Sequence, residues 1–131
     1  MKISTKGRYA LKVMIDLGQN SNGKYIPLSD IAKRQEISNK YLEQIVAMLN
    51  KAGYLETLRG NNGGYKLAKE PKDYTVGDIL RATEGDIAPT SCIREEKCKQ
   101  AENCTTYKFW DGLDKVINEY IDSKTLADIV N

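Results

Sequence analysis

The sequence predicts a mainly α-helical fold that contains one small β-hairpin. In segment 39–52, apolar residues recur at the i, i+3, i+4, i+7 spacing of a buried helical stripe. Two β-like segments, YLETLR and YKL, flank the turn sequence GNNGG, as the strands of a hairpin do. A further amphipathic pattern starts at residue 105 and predicts one long helix near the C-terminus.

The elements before the hairpin follow a helix-turn-helix pattern. A short helix is predicted from the start signals Pro27 and Ser29. Residues 35–38 link it to the helix at 39–52, which Ser38 is expected to cap and Gly53 to end. Two short helices joined by a turn and followed directly by a hairpin predict a winged helix-turn-helix domain.

Such a domain is expected to bind DNA through its second helix and its wing. Lysine and glutamine on that helix suit guanine and adenine, and the carboxylate of Glu43 should exclude some sequences or accept a hydrogen bond from cytosine. Arg59, at the tip of the wing, is expected to enter a minor groove or contact phosphate. For each residue the alternative is a solvated surface position. The candidates for DNA contact are Lys6, Arg8, Ser38, Asn39, Lys40, Tyr41, Glu43, Gln44, Arg59 and Gly60.

The charge of the chain is divided between its two halves. Residues 1–70 carry 12 Lys and Arg against 6 Asp and Glu, a net of +6, whereas residues 71–131 carry 8 against 12, a net of −4. The first half suits a polyanion and the second would be repelled by one. We therefore predict a DNA-binding domain at 1–70, a connector helix and cysteine-bearing loop at 71–104, and a dimerisation helix with a C-terminal turn at 105–131.

The predicted C-terminal helix has a wide apolar face. One stripe is formed by Phe109, Leu113, Val116 and Tyr120, and beside it lie Trp110, Ile117 and Ile121. This face is wider than a short domain easily covers, so burial against the same helix of a second copy is the natural solution. The sequence therefore predicts a homodimer.

Composition limits the remaining classes of protein. No apolar run approaches the roughly 18 residues that cross a bilayer, and Asp16 interrupts the apolar stretch of the N-terminus, so a cytoplasmic protein without a membrane partner is expected. The chain contains no histidine and no paired-carboxylate motif, and its glycine-rich turn lacks the Lys-Ser/Thr of a nucleotide-binding loop. An enzyme is therefore not expected.

All three cysteines lie in one stretch, SCIREEKCKQAENCTT, at five-residue gaps: Cys92, Cys98 and Cys104. An odd number of cysteines in a reducing compartment argues against disulfides. Three soft thiolates with one weaker ligand suit an iron–sulfur cluster, and the neighbouring cations Arg94, Lys97 and Lys99 favour thiolate. Zinc binding and simple redox chemistry are the alternatives that the spacing leaves open.

Taken together, these motifs resemble one family over essentially the whole chain. They are the start MKISTKGRYALKVMIDL, the helix ISNKYLEQIVAMLNKAGYL, the wing RGNNGGYKLA, the segment TVGDILRATEG and the three cysteines. In this order and spacing they resemble the IscR/NsrR/CymR winged-helix transcription factors. The cysteines make the chain similar to the iron–sulfur-sensing members, IscR above all and the nitric-oxide sensor NsrR, rather than to the cysteine-metabolism regulators.

The resemblance implies a homodimeric repressor or activator with a crossed dimer helix, bound to a near-palindromic operator of double-stranded DNA. It also implies an iron–sulfur cluster on the three cysteines, 2Fe–2S or alternatively 4Fe–4S, that controls promoter binding at genes such as those for cluster assembly. A nitric-oxide or thiol-redox-sensing repressor of the same family is the alternative. An iron–sulfur carrier is a further alternative, but a carrier has no use for the wing.

The chain departs from the family at the fourth cluster ligand. IscR-type proteins place a histidine three residues after the last cysteine, where this sequence has Tyr107. NsrR-type proteins use an aspartate of the first helix, a region in which this chain has Arg8 and no carboxylate before Asp16. The resemblance leaves Glu102, the Tyr107 phenolate, or a small molecule or water as candidates for this position.

Overall fold

A computed structural model of the protein describes residues 3–90, 93 and 105–130. Within them the chain forms six α-helices, a 3₁₀ turn and one hairpin. The order is α1 (Thr5–Asn20), α2 (Leu28–Gln35), α3 (Asn39–Lys51), β1 (Leu55–Leu58), β2 (Gly64–Leu67), the 3₁₀ turn (Pro71–Asp73), α4 (Val76–Glu84), α5 (Tyr107–Ser123) and α6 (Leu126–Val130). This is the predicted mainly α-helical fold with its hairpin and long C-terminal helix. In the part of the chain that is described, no helix combines the length and the apolar character that crossing a membrane requires.

Helix α1 lies at the centre of the molecule. Its apolar face is fully buried because it follows three- and four-residue spacing, and α2, α3, α4, α6 and β2 all contact this helix. The buried apolar residues of α1 are Ala10, Val13, Met14 and Leu17. Helix α1 therefore positions, directly or through one neighbour, the C-terminal helix and every element of the predicted DNA-binding surface.

The helix-turn-helix forms where the sequence predicted it. Helix α2 ends at Gln35, one residue into the predicted link, and Glu36 follows in the left-handed conformation at φ 55°. The hydroxyl of Ser38 accepts a hydrogen bond of 3.2 Å from the amide of Tyr41, which confirms the predicted cap of α3. Gly53, at φ 80°, follows the end of this helix as expected.

The wing is an antiparallel pair in which Leu55 faces Leu67 and Leu58 faces Gly64. Gly64 therefore belongs to β2, although the sequence placed it in the turn. The backbone of Gly64 passes so close to Ile26 that a β-carbon there would collide with the Ile26 carbonyl. This close approach lets the Ile26–Tyr65 bridge attach the wing to the segment before α2.

Helix α4 starts with a complete capping box. The hydroxyl of Thr75 accepts from the amide of Asp78 at 2.9 Å, and the carboxylate of Asp78 accepts from the amide of Thr75 at 3.1 Å. The helix runs to Glu84.

Helix α5 is fastened to α4 by a polar network. The guanidinium of Arg81 donates to both carboxylate oxygens of Asp122, at 2.7 and 3.0 Å, and to the amide oxygen of Asn118 at 2.6 Å. The hydrogen bonds with Asp122 raise the pKa of Arg81. Beyond α5 the chain turns back, and Leu126 of α6 is buried in the core beside α1. The division into three regions at residues 70 and 104 remains a prediction. Helices α4 and α6, from the second and third of these regions, both pack on α1 of the first.

A buried carboxylate fixes α2 against α1. The side chain of Asp16 is inaccessible to solvent, and its two oxygens accept from Nη2 and Nε of Arg34 at 2.8 and 2.9 Å. The side-chain amide of Gln35 donates a further bond of 2.9 Å. The hydrogen bonds from Arg34 to Asp16 raise the pKa of that guanidinium. Because a buried charge must be paired, α2 has to lie against α1 in this orientation.

Replacing Asp16 with Asn should destabilise the protein by roughly 1–3 kcal/mol, because the guanidinium loses its charged partner and one acceptor inside the fold. The cost stays in the lower part of the range for buried pairs because the Arg34 side chain is 38% exposed and can be partly hydrated. The measurement is urea unfolding at constant m-value. Asp111→Asn breaks an exposed pair with Lys115 on α5 and serves as the control, with an expected change below about 0.5 kcal/mol. Equal midpoints for the two variants would contradict the role of Asp16.

Candidate nucleic-acid interface

The N-terminal half of α3 presents a polar face to solvent. Leu42, Ile45 and Val46 point into the core, so the positions between them point outward. The exposed side chains are Ser38, Asn39, Lys40, Glu43 and Gln44, as the sequence predicted. They bring two amides, an ammonium and a carboxylate onto one exposed surface. These are the groups that pair with base edges in a major groove.

Tyr41 differs from the other candidates on α3. It is half-buried, and its ring packs edge-to-face on Tyr9 of α1, with centroids 5.6 Å apart and an interplanar angle of 87°. The pair fixes the start of α3 against α1. Tyr41 therefore has a structural role that its helical position alone did not indicate.

The start of α1 contributes cations beside this surface. Lys6 and Arg8 are exposed, and the Arg8 guanidinium donates a long hydrogen bond of 3.4 Å to Thr5. One helical turn further along, the ammonium of Lys12 lies 5.6 Å from the centre of the Tyr9 ring. Lys12 is not among the residues predicted from the sequence. Its position four residues after Arg8, on the same face of the helix, was the available signal.

The wing places Arg59 and Gly60 in its exposed turn, with Gly60 at φ 112°. The amide of Asn50, near the end of α3, donates a hydrogen bond of 2.9 Å to the hydroxyl of Thr57 in β1. This bond ties the wing to the second helix, so the two parts of the candidate interface have a fixed relation. The structure thus brings the predicted residues of α1, α3 and the wing onto the surface. Contact with DNA remains a prediction for each of them.

The base of the wing is anchored by a buried phenol. The hydroxyl of Tyr74 donates to the carbonyl of Tyr54 at 2.8 Å and accepts from the amide of Lys69 at 3.0 Å. The two tyrosine rings meet edge-to-face at 5.5 Å, and burial raises the pKa of both phenols. These perturbed groups have a packing role and lie apart from the predicted contact residues.

Cys92, Cys98, Cys104 and Glu102 lie outside the described residues. The fourth-ligand candidate Tyr107 is described and is the half-buried first residue of α5. The cysteine stretch therefore joins the end of α4 to the start of α5. The carboxylate of Asp16 is fully engaged by Arg34 and Gln35.

The chemistry of the donor set fits a soft-metal centre. The three thiols can bind iron or zinc as thiolates, and the chain offers oxygen donors rather than imidazole for a fourth position. The donor types alone are compatible with either metal.

Comparison with known proteins identifies the family. A family model described as Rrf2, iron-dependent transcriptional regulator, matches residues 3–131. The HTH-type transcriptional regulator IscR of Serratia proteamaculans is 37% identical over 131 residues, which cover 100% of this chain and 80% of that protein.

Two solved structures extend the comparison. IscR of T. potens is 41% identical, with a TM-score of 0.80 over 99% of this chain and 86% of that one. CymR, described as the global cysteine regulator of B. subtilis, is 39% identical, with a TM-score of 0.83 over 99% and 96% of the two chains. The chain belongs to the Rrf2 family of transcriptional regulators.

Proposed function

We propose that the protein is a homodimeric DNA-binding regulator in which α3 enters the major groove and the wing reaches the flanking minor groove. The observation that carries this proposal is the exposed polar face of α3, held by the Ser38 cap and by the Tyr9–Tyr41 contact. Exposed cations are present on α1, which contacts the start of α3 through Tyr9, and on the wing, which is tied to the end of α3 through Thr57. This combination of base-pairing groups with phosphate-binding groups is what sequence-selective DNA binding requires.

The contacts divide into two kinds. Lys6, Arg8 and Arg59 neutralise phosphates, which supplies affinity that falls as salt rises. Lys40, Glu43 and Gln44 face the base edges and supply selectivity. Ser38 and Tyr41 support the helix start rather than distinguish bases.

Helix α5 provides the dimer contact. Phe109, Val116 and Tyr120 are 64%, 61% and 63% exposed, and they recur along one side of the helix. Three large apolar side chains exposed in a row are characteristic of an interaction surface. A second copy of α5 covers them, and the resulting two-fold axis matches a near-palindromic operator.

The cysteine stretch provides the sensor. Cys92, Cys98 and Cys104 hold an iron–sulfur cluster as thiolates, 2Fe–2S or 4Fe–4S, with an oxygen of Glu102 or Tyr107, or of a small molecule or water, at the remaining position. When bound, such a cluster supplies a redox- and nitric-oxide-sensitive centre. The likeness to two proteins named IscR supports this assignment over zinc. By the same likeness, the regulated genes include those for cluster assembly.

The position of the stretch explains how it acts on DNA. It joins α4, which packs on α1, to α5, which carries the exposed apolar face. A change in the stretch therefore bears on the DNA-binding elements and on the dimer contact together. A few kcal/mol of difference between the two states is enough to change operator occupancy.

A second candidate on the same scaffold is a thiol-redox-sensing or nitric-oxide-sensing repressor, for which the three thiols would suffice without a cluster. The two candidates differ in the metal content of the protein. A third possibility, an iron–sulfur carrier, predicts no sequence-selective DNA binding and is tested by a salt-dependent gel shift on an operator fragment.

Protein purified without oxygen should be coloured, with cluster absorption in the visible range and stoichiometric iron and sulfide. Cys98→Ser should abolish the colour because a ligand is lost. Tyr107→Phe and Glu102→Gln each remove one candidate for the fourth ligand. The variant that removes the actual ligand should lose its cluster faster in air than the wild-type protein does, whereas the control Tyr25→Phe should not. Colourless protein that contains zinc would contradict the cluster proposal, and colourless, metal-free protein that responds to oxidants would favour the thiol sensor.

Glu43→Ala should relax site choice more than it weakens binding, because the carboxylate discriminates by repelling the wrong groups. The measurement is affinity for an operator series with single base changes, for which discrimination should fall by roughly 1–3 kcal/mol at one position. Glu70→Ala removes an exposed carboxylate outside the candidate surface and is the control. A uniform loss of affinity across the series would show that Glu43 is not a discriminator.

Val116→Glu should convert the dimer to a monomer, because it puts a charge into the apolar face of α5. Sedimentation velocity measures the mass, and operator binding should weaken as the second half-site contact is lost. Glu119→Gln, an exposed polar change on the same helix, should leave the dimer intact. A Val116→Glu protein that stays dimeric would place the interface elsewhere.

A further inference from the structure

The first turn of α1 is capped by a residue that is distant in the sequence. Helix α1 has no acidic residue in its own first turn. The carboxylate there belongs to Glu84, the last residue of α4. Its Oε1 accepts hydrogen bonds from two backbone amides, that of Ser4 at 2.9 Å and that of Gly7 at 3.1 Å. The Ser4 hydroxyl donates a third hydrogen bond to the same oxygen.

This carboxylate is suited to its position. The amides at a helix start lack partners within the helix and carry a partial positive charge, which an anion stabilises. The hydroxyl of Ser4 is 3.4 Å from the amide of Gly7, so Glu84 offers that amide the shorter bond. The cations Lys6 and Arg8 lie in the same part of α1 and add to the positive charge there.

Gly7 is shaped to the same contact. A β-carbon at this position would collide with Oε1 of Glu84. A glycine inside a helix is unfavourable relative to alanine, so its presence here fits the close approach of the carboxylate. The hydrogen bonds of Glu84 and the absence of a side chain at Gly7 therefore both belong to the same contact.

The contact holds a part of α1 that the core does not. The buried apolar residues of α1 begin at Ala10, after the turn that carries Lys6 and Arg8. Without the carboxylate, the core would still hold the rest of the helix, whereas the first turn would lose its outside anchor. The contact of Glu84 with the first turn therefore fixes the positions of Lys6 and Arg8.

We propose that Glu84 is a positioning residue for DNA binding, which holds the first turn of α1 so that Lys6 and Arg8 meet the phosphate backbone. This rests on the proposed phosphate contacts of those two residues. Glu84 itself does not contact DNA, because its Oε1 is bound to the amides of α1 and a carboxylate is repelled by phosphate. It connects the end of α4 to the DNA-binding surface.

The test is Glu84→Asp, which keeps the charge but is one methylene too short to reach Ser4 and Gly7. Operator affinity should fall about tenfold and the slope of log affinity against log salt should become shallower by about one phosphate contact, both measured by fluorescence anisotropy. Asp78→Asn weakens a carboxylate cap at the other end of α4 without touching α1, and it should leave both quantities unchanged. Gly7→Ala displaces the carboxylate by a different route and should behave as Glu84→Asp does.

A double-mutant cycle with Arg8→Ala separates the outcomes. If Glu84 acts through Arg8, the two substitutions together should cost less than the sum of their separate effects. If Arg8→Ala alone leaves affinity and salt slope unchanged, the proposed phosphate contact fails and the role of Glu84 fails with it. A third outcome is that Arg8→Ala weakens binding while Glu84→Asp leaves the salt slope unchanged, or while the two losses of affinity are additive in the double variant. Either result overturns only the role of Glu84.

Discussion

The buried carboxylate of Asp16 is the constraint on which the arrangement of the DNA-binding elements depends. An unpaired charge inside the fold would be costly, and Arg34 and Gln35 of α2 supply the pairing. Apolar contacts alone would tolerate small rotations of α2 over α1. The forked geometry of the guanidinium does not tolerate them, because both of its bonds must be directed at one carboxylate. Since α3 follows α2 after a short turn, this pairing also limits the orientations open to the second helix.

Helix α1 makes three such directed contacts with different elements. Asp16 holds α2, Tyr9 packs on Tyr41 of α3, and amides of the first turn donate to the carboxylate of Glu84 from α4. Helix α4 then holds α5 through Arg81. The contacts form a continuous path from the exposed face of α5 to the candidate DNA surface. Spatial continuity alone does not make this path a switch. Regulation requires that one of these contacts differ between two states of the cysteine stretch.

The sequence predicted the elements whose signals are local. The stripe of α3, the Ser38 cap and the glycine that follows the helix are patterns of a few residues, and each is present. The sequence did not predict the 3₁₀ turn at Pro71–Asp73 or the inclusion of Gly64 in β2, because both depend on what packs against them. The partners of Asp16 and of Gly7 were also missed. Periodicity marks the buried face of a helix but does not identify its distant charged partners. Arg34 is 18 residues from Asp16, and Glu84 is 77 residues from Gly7.

The similarity to both a cysteine regulator and IscR proteins indicates where functional differences within the family arise. The folds match at TM-scores of 0.83 and 0.80, so the scaffold itself does not distinguish the two kinds of regulator. For this chain, the proposed function therefore rests on the donor atoms of the cysteine stretch. Since this chain has no imidazole to complete a set of three thiolates, the proposed cluster would take an oxygen donor at that position. Oxygen is a harder ligand than imidazole or thiolate and is the mismatched member of such a set. The iron at that position would therefore be the first to exchange its ligand, and the missing histidine would set how readily the sensor responds.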